Sequence, residues 1–139
     1  MIIRTAETPD VPAIAALAGE LGYPTSADEM SRRLAALDDR DAVFVAEQDG
    51  GCAGWIQISV VETLESSRFA EIRGLVVTEG QRGGGVGAAL VAAAEEWARG
   101  KSCPRVRVRS NVVRERTHRF YERLGYRVVK SQKVFDKVW

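Results

Sequence analysis

Two hydrophobic rhythms alternate along this chain, and each change of rhythm marks an element. Met1 to Thr5 predicts a short first strand. Thr8-Pro9-Asp10 reads as a helix start, with a hydroxyl cap, proline at the first helical position and an acid in the first turn. Val11, Ile14, Ala15, Ala18 and Leu21 follow at helical spacing until Gly22 stops the run. The bend Leu21-Gly22-Tyr23-Pro24 leads to a second helix capped at Thr25 or Ser26, with Asp28 and Glu29 in its first turn and an apolar seam of Met30, Leu34 and Leu37. The period then shortens. Ala42–Glu47 and Ala53–Glu62 read as strands joined at the hairpin signal Asp49-Gly50-Gly51. Leu64 to Arg68 breaks the pattern, and Phe69–Val77 is the next strand. Val86 to Arg99 is an Ala-rich helix, and Arg105-Val106-Arg107-Val108-Arg109 alternates as a strand with one wet face. Arg114 to Leu124 is a helix with Thr117, Phe120, Tyr121 and Leu124 on one side, ended by Gly125, and Gln132–Val138 is a last strand. The order βααβββαβαβ predicts a mixed α/β architecture, a sheet flanked by helices.

Composition narrows the function classes. A chain of 139 residues with 45% hydrophobic and 28% charged residues is one globular domain, residues 1–139. A net charge of +1 gives no reason to expect nucleic acid or an anionic membrane as partner, and the arginines of Arg105–Arg109 read as a solvated strand face. Cys52 and Cys103 are too few for a disulfide framework and lack metal-ligand spacing, so reduced thiols and a cytoplasmic location are expected, with no metal. No secretory h-region and no long apolar window is present, which predicts a soluble protein.

Chemistry concentrates after Leu75-Val76-Val77. The chain there enters a loop in which four of the five residues Gly83 to Gly87 are glycine, and then a helix. Glycines before a helix let backbone N–H groups approach a ligand, and a helix N-terminus carries unpaired donors and a positive dipole end. The combination is an anion site, most naturally for phosphate, with Arg82 adding fixed charge at its lip. No Lys follows the glycines, which excludes a P-loop. A dinucleotide fingerprint over Gly83, Gly85 and Ala88 fails where its ribose-binding acid should fall, at Cys103-Pro104-Arg105.

Arg82-x-x-Gly85-x-Gly87 resembles the pyrophosphate loop of the GNAT superfamily of acetyl-CoA-dependent N-acetyltransferases, and Phe120-Tyr121-x-x-Leu124-Gly125-Tyr126 resembles a second signature of that family. The likeness covers essentially the whole chain. It implies a central mixed, mostly antiparallel sheet of about seven strands flanked by roughly four helices. Leu21-Gly22-Tyr23-Pro24 and Lys133-Val134-Phe135 also resemble small GNAT enzymes that acetylate free amines, including aminoalkylphosphonate and aminoglycoside acetyltransferases.

The resemblance implies acetyl-CoA as co-substrate, its pyrophosphate on Arg82, Gly83, Gly84, Gly85, Val86, Gly87 and Ala88, its pantetheine arm along Leu75, Val76 and Val77, and a cofactor contact or tyrosine-orienting role for Asn111. An N–H of Val76 or Val77 would polarise the acetyl carbonyl. Tyr121 matches the residue that protonates the leaving thiolate, with a core role beside Phe120 on the apolar helix face as the alternative. For the base, an alkyl ammonium of pKa about 10 must lose a proton at a cost of roughly 4 kcal/mol at pH 7. Glu71, eleven residues before Arg82, resembles the catalytic glutamate of histone-acetylating members, while a structural Glu71–Arg73 pair, Glu20 or ordered water are the alternatives. His118 reads as an exposed helix histidine or, one turn before Tyr121, as a neighbour of the active site, Asn111 equally as a helix cap, and Tyr23 and Trp55 as acceptor-site walls or core. The expected activity is N-acetylation of a small-molecule primary amine. A protein acetyltransferase and a non-catalytic acetyl-CoA-binding module are the competing classes, and family habit implies a homodimer.

Overall fold

The computed structural model describes residues 1–81, 83–110 and 115–139. These form two compact units, Met1–Val108 and Arg109–Trp139. In the first, strands β1 (Ile2–Thr5), β2 (Asp41–Gln48), β3 (Gly51–Val61), β4 (Phe69–Val77) and β5 (Val106–Val108) make one sheet in chain order. The first four pair antiparallel and β5 joins β4 in parallel. Helices α1 (Val11–Glu20), α2 (Ala27–Ala35) and α3 (Val86–Gly100) complete that unit.

Local signals place most boundaries. Asp49 and Gly50 both take positive φ, 53° and 76°, so Gln48 and Gly51 are joined by a two-residue loop of the twist that suits a hairpin. Ser26 caps α2, its Oγ accepting the N–H of Glu29 at 3.1 Å. The cap of the first helix differs from the sequence expectation. The N–H of Glu7 donates to Asp10 Oδ2 at 2.7 Å, and Thr8–Asp10 forms a 3-10 turn before α1. Asp10 also accepts from Arg4 at 2.7 and 2.8 Å, which ties β1 to α1 and holds its carboxyl below the usual carboxylate range.

Strand alternation distributes the core over two sheet faces. Val43 and Val45 pack with Ile14 of α1, and Met30, Leu34, Leu37 and Trp55 close over that cluster, so the seam of α2 does what its spacing predicts. Gly54, of opposite parity to Trp55, faces Leu90 of α3, and α3 lies against β2, β3 and β4. Gly54 is glycine because a Cβ there would stand 2.6 Å from the Val76 carbonyl oxygen and 3.3 Å from Val77 Cα. Gly54→Ala should therefore push β4 outward and cost about 1–3 kcal/mol. A thermal melt of the variant checks this, with a midpoint lowered by several degrees as the expected result.

The second unit holds α4 (Glu115–Arg123), closed as the sequence predicts at Gly125. Tyr126 N–H bonds the Tyr121 carbonyl and Gly125 N–H that of Glu122, both at 3.0 Å, with Gly125 at φ 94°. This is a Schellman stop, and it folds Tyr126 back so that its ring lies 5.5 Å from that of Tyr121.

Two expectations are corrected. Among the described residues the sheet has five strands rather than about seven, and Gln132–Val138 forms no strand, every residue from Arg127 to Trp139 being exposed. Strand propensity supplies no ladder without a neighbouring edge, and among the described residues none pairs with this segment. The alternating arginines do not simply face water: the guanidinium centres of Arg105 and Arg107 lie 4.6 and 4.9 Å from the centre of the Phe69 ring.

Candidate active site

Strand β4 and the turn after it build the site. The β4–β5 ladder covers only Ala70, Glu71 and Ile72. Beyond it, among the described residues, no strand pairs with Gly74 to Val77 on that side. Opposite β3 the register slips between Gln57 and Ile58, leaving Arg73 as an extra residue in β4. The N–H of Thr78 donates back to the Ala53 carbonyl at 2.9 Å. Alternation along the strand therefore turns the N–H and C=O of Val77 and Leu75 toward the open edge, and those of Val76 toward β3. Of the two amides offered by the sequence as donors, the one that faces the open edge is that of Val77. The side chain of Val76 is buried and those of Leu75 and Val77 are half-buried.

The chain then makes a 3-10 turn over Glu79–Gln81, held by Gln81 N–H on the Thr78 carbonyl at 3.0 Å and by Gln48 Nε2 on Gln81 Oε1 at 2.9 Å. Gly83 and Gly85 follow at φ 88° and 84°, Gly85 directly preceding α3. The first four-residue helical bond is Ala89 N–H to the Gly85 carbonyl, so the N–H groups of Val86, Gly87 and Ala88 have no intrahelical acceptor. Gly83, Gly84 and Gly85 are exposed. A strand edge that is open among the described residues thus runs into amides without an intrahelical acceptor at the positive end of a helix of 15 residues. An extended amide-bearing arm that ends in a pyrophosphate fits both features, as CoA does. Arg82 and Asn111, the other two cofactor residues expected from the sequence, lie outside the described residues.

Glu71 is buried, and its Oε2 accepts from Arg73 Nη1 at 2.6 Å, so the ion pair foreseen as the alternative to a catalytic role is present. Glu20 stands at the C-terminal end of α1 and accepts a long bond, 3.4 Å, from Thr78 Oγ1, at the point where β4 gives way to the turn. Trp55 is half-buried against Gly74, and its indole N–H has no acceptor among the described residues. Tyr23 is 62% exposed, which removes it from the core. Thr78 and Gln81 escaped the sequence reading, since a polar residue after a strand carries no distinctive signal. Gly54 could have been noticed as a glycine interrupting a strand.

In the second unit, Tyr121 is buried, with the Phe120 ring at 5.0 Å and the Tyr126 ring at 5.5 Å, both edge-on. Burial pushes its phenol up to about 12. His118, three residues earlier on α4, is half-buried rather than exposed.

A sheet that opens beside its fourth strand, followed by a glycine turn and a helix whose first amides lack an intrahelical acceptor, can take an extended arm that ends in an anion. The Acetyltransferase (GNAT) family model matches residues 10–126, across both units, and the chain belongs to that family. It is an acetyltransferase. It is 32% identical over 131 residues to an aminoalkylphosphonate N-acetyltransferase of Salmonella typhimurium, covering 90% of this chain and 84% of the relative. An acetyltransferase structure from Trypanosoma brucei superposes with a TM-score of 0.83 at 26% identity, over 98% of this chain and 99% of that one. The aminoglycoside N-acetyltransferase AAC(6')-Iy, solved in complex with CoA, matches in fold with a TM-score of 0.82 at 21% identity, over 99% of this chain and 100% of that one.

Proposed function

We propose that this enzyme moves the acetyl group of acetyl-CoA to the primary amine of a small molecule by direct attack in a ternary complex. The observation that carries the reading is the open edge of β4 leading into the amides at the start of α3. The amine-acetylating relative at 32% identity supports a small acceptor. When bound, acetyl-CoA supplies an activated acyl carbon as its thioester. Leu75 and Val77 pair with the pantetheine arm as an added strand would, and the N–H groups of Gly83 to Ala88, with Arg82, hold the pyrophosphate. Val77 N–H donates to the acetyl oxygen as negative charge grows there. Tyr121 donates its phenolic hydrogen toward the departing sulfur, and Asn111 contacts the cofactor or orients that tyrosine.

Glu71 takes the ammonium proton, directly or through water. Glu71→Gln should lower kcat/KM at neutral pH by about tenfold, with the deficit closing toward pH 10 as the amine deprotonates unaided. A parallel pH profile of Glu71→Gln and wild type, with only thermal stability reduced, would assign Glu71 to pairing with Arg73 alone.

Thiol release from acetyl-CoA, measured over polyamines, aminoalkylphosphonates, aminoglycosides, amino acids and a lysine peptide, tests the function. Release with one class of small amine is expected. Release with the peptide alone would make this a protein acetyltransferase. Tight acetyl-CoA binding without release on any amine would make it a binding module.

A further inference from the structure

Strand β4 carries one ion pair whose members are unequally hidden. The side chain of Glu71 is 6% exposed and that of Arg73 46%, with Arg73 Nη1 donating to Glu71 Oε2 at 2.6 Å. Arg73 is the extra residue at the register slip against β3, and a bulge of this kind re-aims the side chain it inserts. Among the described residues the bond to Glu71 is the one hydrogen bond Arg73 makes, so Nε and Nη2 keep donors to offer. The pair directly precedes Gly74 to Val77, the stretch of β4 that no described strand covers on the β5 side. Across the sheet Glu71 stands in one row with Ser59, Asp41 and Arg107. Those other charges are engaged elsewhere: Asp41 accepts from the Ser59 hydroxyl, and the Arg107 guanidinium lies over the Phe69 ring.

We propose that Arg73 is a specificity-determining residue that holds the anionic group of a zwitterionic acceptor, a short amine carrying a phosphonate or a carboxylate. This rests on the acetyl-transfer reading above and names its substrate class. A carboxylate and a guanidinium in contact are the charge complement of an ammonium and an anion a few bonds apart. The ammonium meets Glu71, which takes its proton, and the anion meets the guanidinium. Arg73 keeps Glu71 while it does so. Nη1 serves the carboxylate, and Nε and Nη2 form a separate edge of the fork, whose two parallel donors match the oxygens of a phosphonate or carboxylate. The unequal burial suits these roles, since a hidden carboxylate is the proton acceptor and a solvent-reaching cation is what an incoming anion finds first. A second ammonium at the same point would face Arg73 and be repelled, which disfavours polyamines. An amine with no second charge gains nothing from the fork.

Isothermal titration of the CoA-bound protein with aminoethylphosphonate, β-alanine, propylamine and diaminopropane tests this, beside thiol release from acetyl-CoA with the same amines. The expected result is tighter binding and a higher kcat/KM for a zwitterion than for propylamine or the diamine, the two zwitterions telling phosphonate from carboxylate. Arg73→Gln should weaken the preferred zwitterion by about thirtyfold and propylamine by less than about threefold. Arg73→Lys keeps the charge and the pairing with Glu71 but loses the fork. It should fall between, about fivefold weaker on the zwitterion alone, and it carries the test should Arg73→Gln fail to fold. A wild-type preference for propylamine or the diamine overturns the proposal. So does a zwitterion affinity unchanged in both variants, or lost equally on propylamine, which would confine Arg73 to holding Glu71. Zwitterion binding that depends on Arg73, with thiol release from none of the amines, would overturn the acetyl-transfer reading and still support the anion site.

Discussion

Tyr121→Phe is expected to lower kcat by about ten- to a thousandfold with little change in stability. The ring packs edge-on between Phe120 and Tyr126, and phenylalanine keeps those contacts. The magnitude follows from the raised phenol. At a pKa of about 12 the hydroxyl is fully protonated at pH 7, as a hydrogen donor must be. A thiol of pKa about 8.5 is the stronger acid, however, so complete transfer to a free thiolate would run uphill by roughly 5 kcal/mol. In the proposed mechanism Tyr121 would therefore act mainly as a hydrogen-bond donor to the sulfur while the C–S bond breaks, and the expected loss falls short of the largest general-acid effects. The raised value also predicts the pH profile. Loss of the phenolic proton begins only as pH nears 12, so the wild-type rate should climb as the amine deprotonates, with no falling limb from Tyr121 below about pH 11. Steady-state kinetics of both proteins over that range check the prediction. An unchanged kcat in the variant would remove Tyr121 from the mechanism.

Gly83→Ala with Gly85→Ala should raise KM for acetyl-CoA by about thirtyfold or more. Both residues stand at positive φ, where an L side chain costs roughly 1–2 kcal/mol each. A Cβ at either meets no heavy atom within 4 Å, so the penalty is conformational and not a clash. The turn would relieve it by swinging out of the conformation that precedes α3, taking the amides of Val86, Gly87 and Ala88 off the pyrophosphate. A combined strain of about 2–4 kcal/mol sets the scale at tenfold for each 1.4 kcal/mol. Gly80→Ala is the control: that residue is not at positive φ and its Cβ would stand in open space, so KM should stay within about twofold. Isothermal titration with CoA separates the affinity change from any change in turnover, and equal binding by the double variant and wild type would exclude the loop as the pyrophosphate site.

Sequence legibility was greatest where a function depends on local backbone geometry. The hairpin at Asp49-Gly50, the cap at Ser26, the stop at Gly125 and the glycine turn before α3 each depend on residues a few positions apart, and a residue type with a special φ or a capping oxygen announces them. The β4 boundaries, Phe69–Val77, were legible because the strand is apolar and ends at polar residues. The family itself was legible in two motifs, because the backbone of the first and the helix stop of the second each demand glycine.

Tertiary structure alone decided which edges are paired and which are open. Nothing in the residues of β4 says that its ladder with β5 ends at Ile72, or that Val77 rather than Val76 turns its N–H outward, because both follow from the register with distant segments. Glu71 reads equally as base or ion-pair partner in the sequence, and the structure adds that Arg73 Nη1 reaches its carboxylate although Arg73 is itself the extra residue at the slip against β3. The same reason explains Gln132–Val138. Its pattern specifies a segment that would pair as a strand, and pairing is a property of the neighbour as much as of the segment.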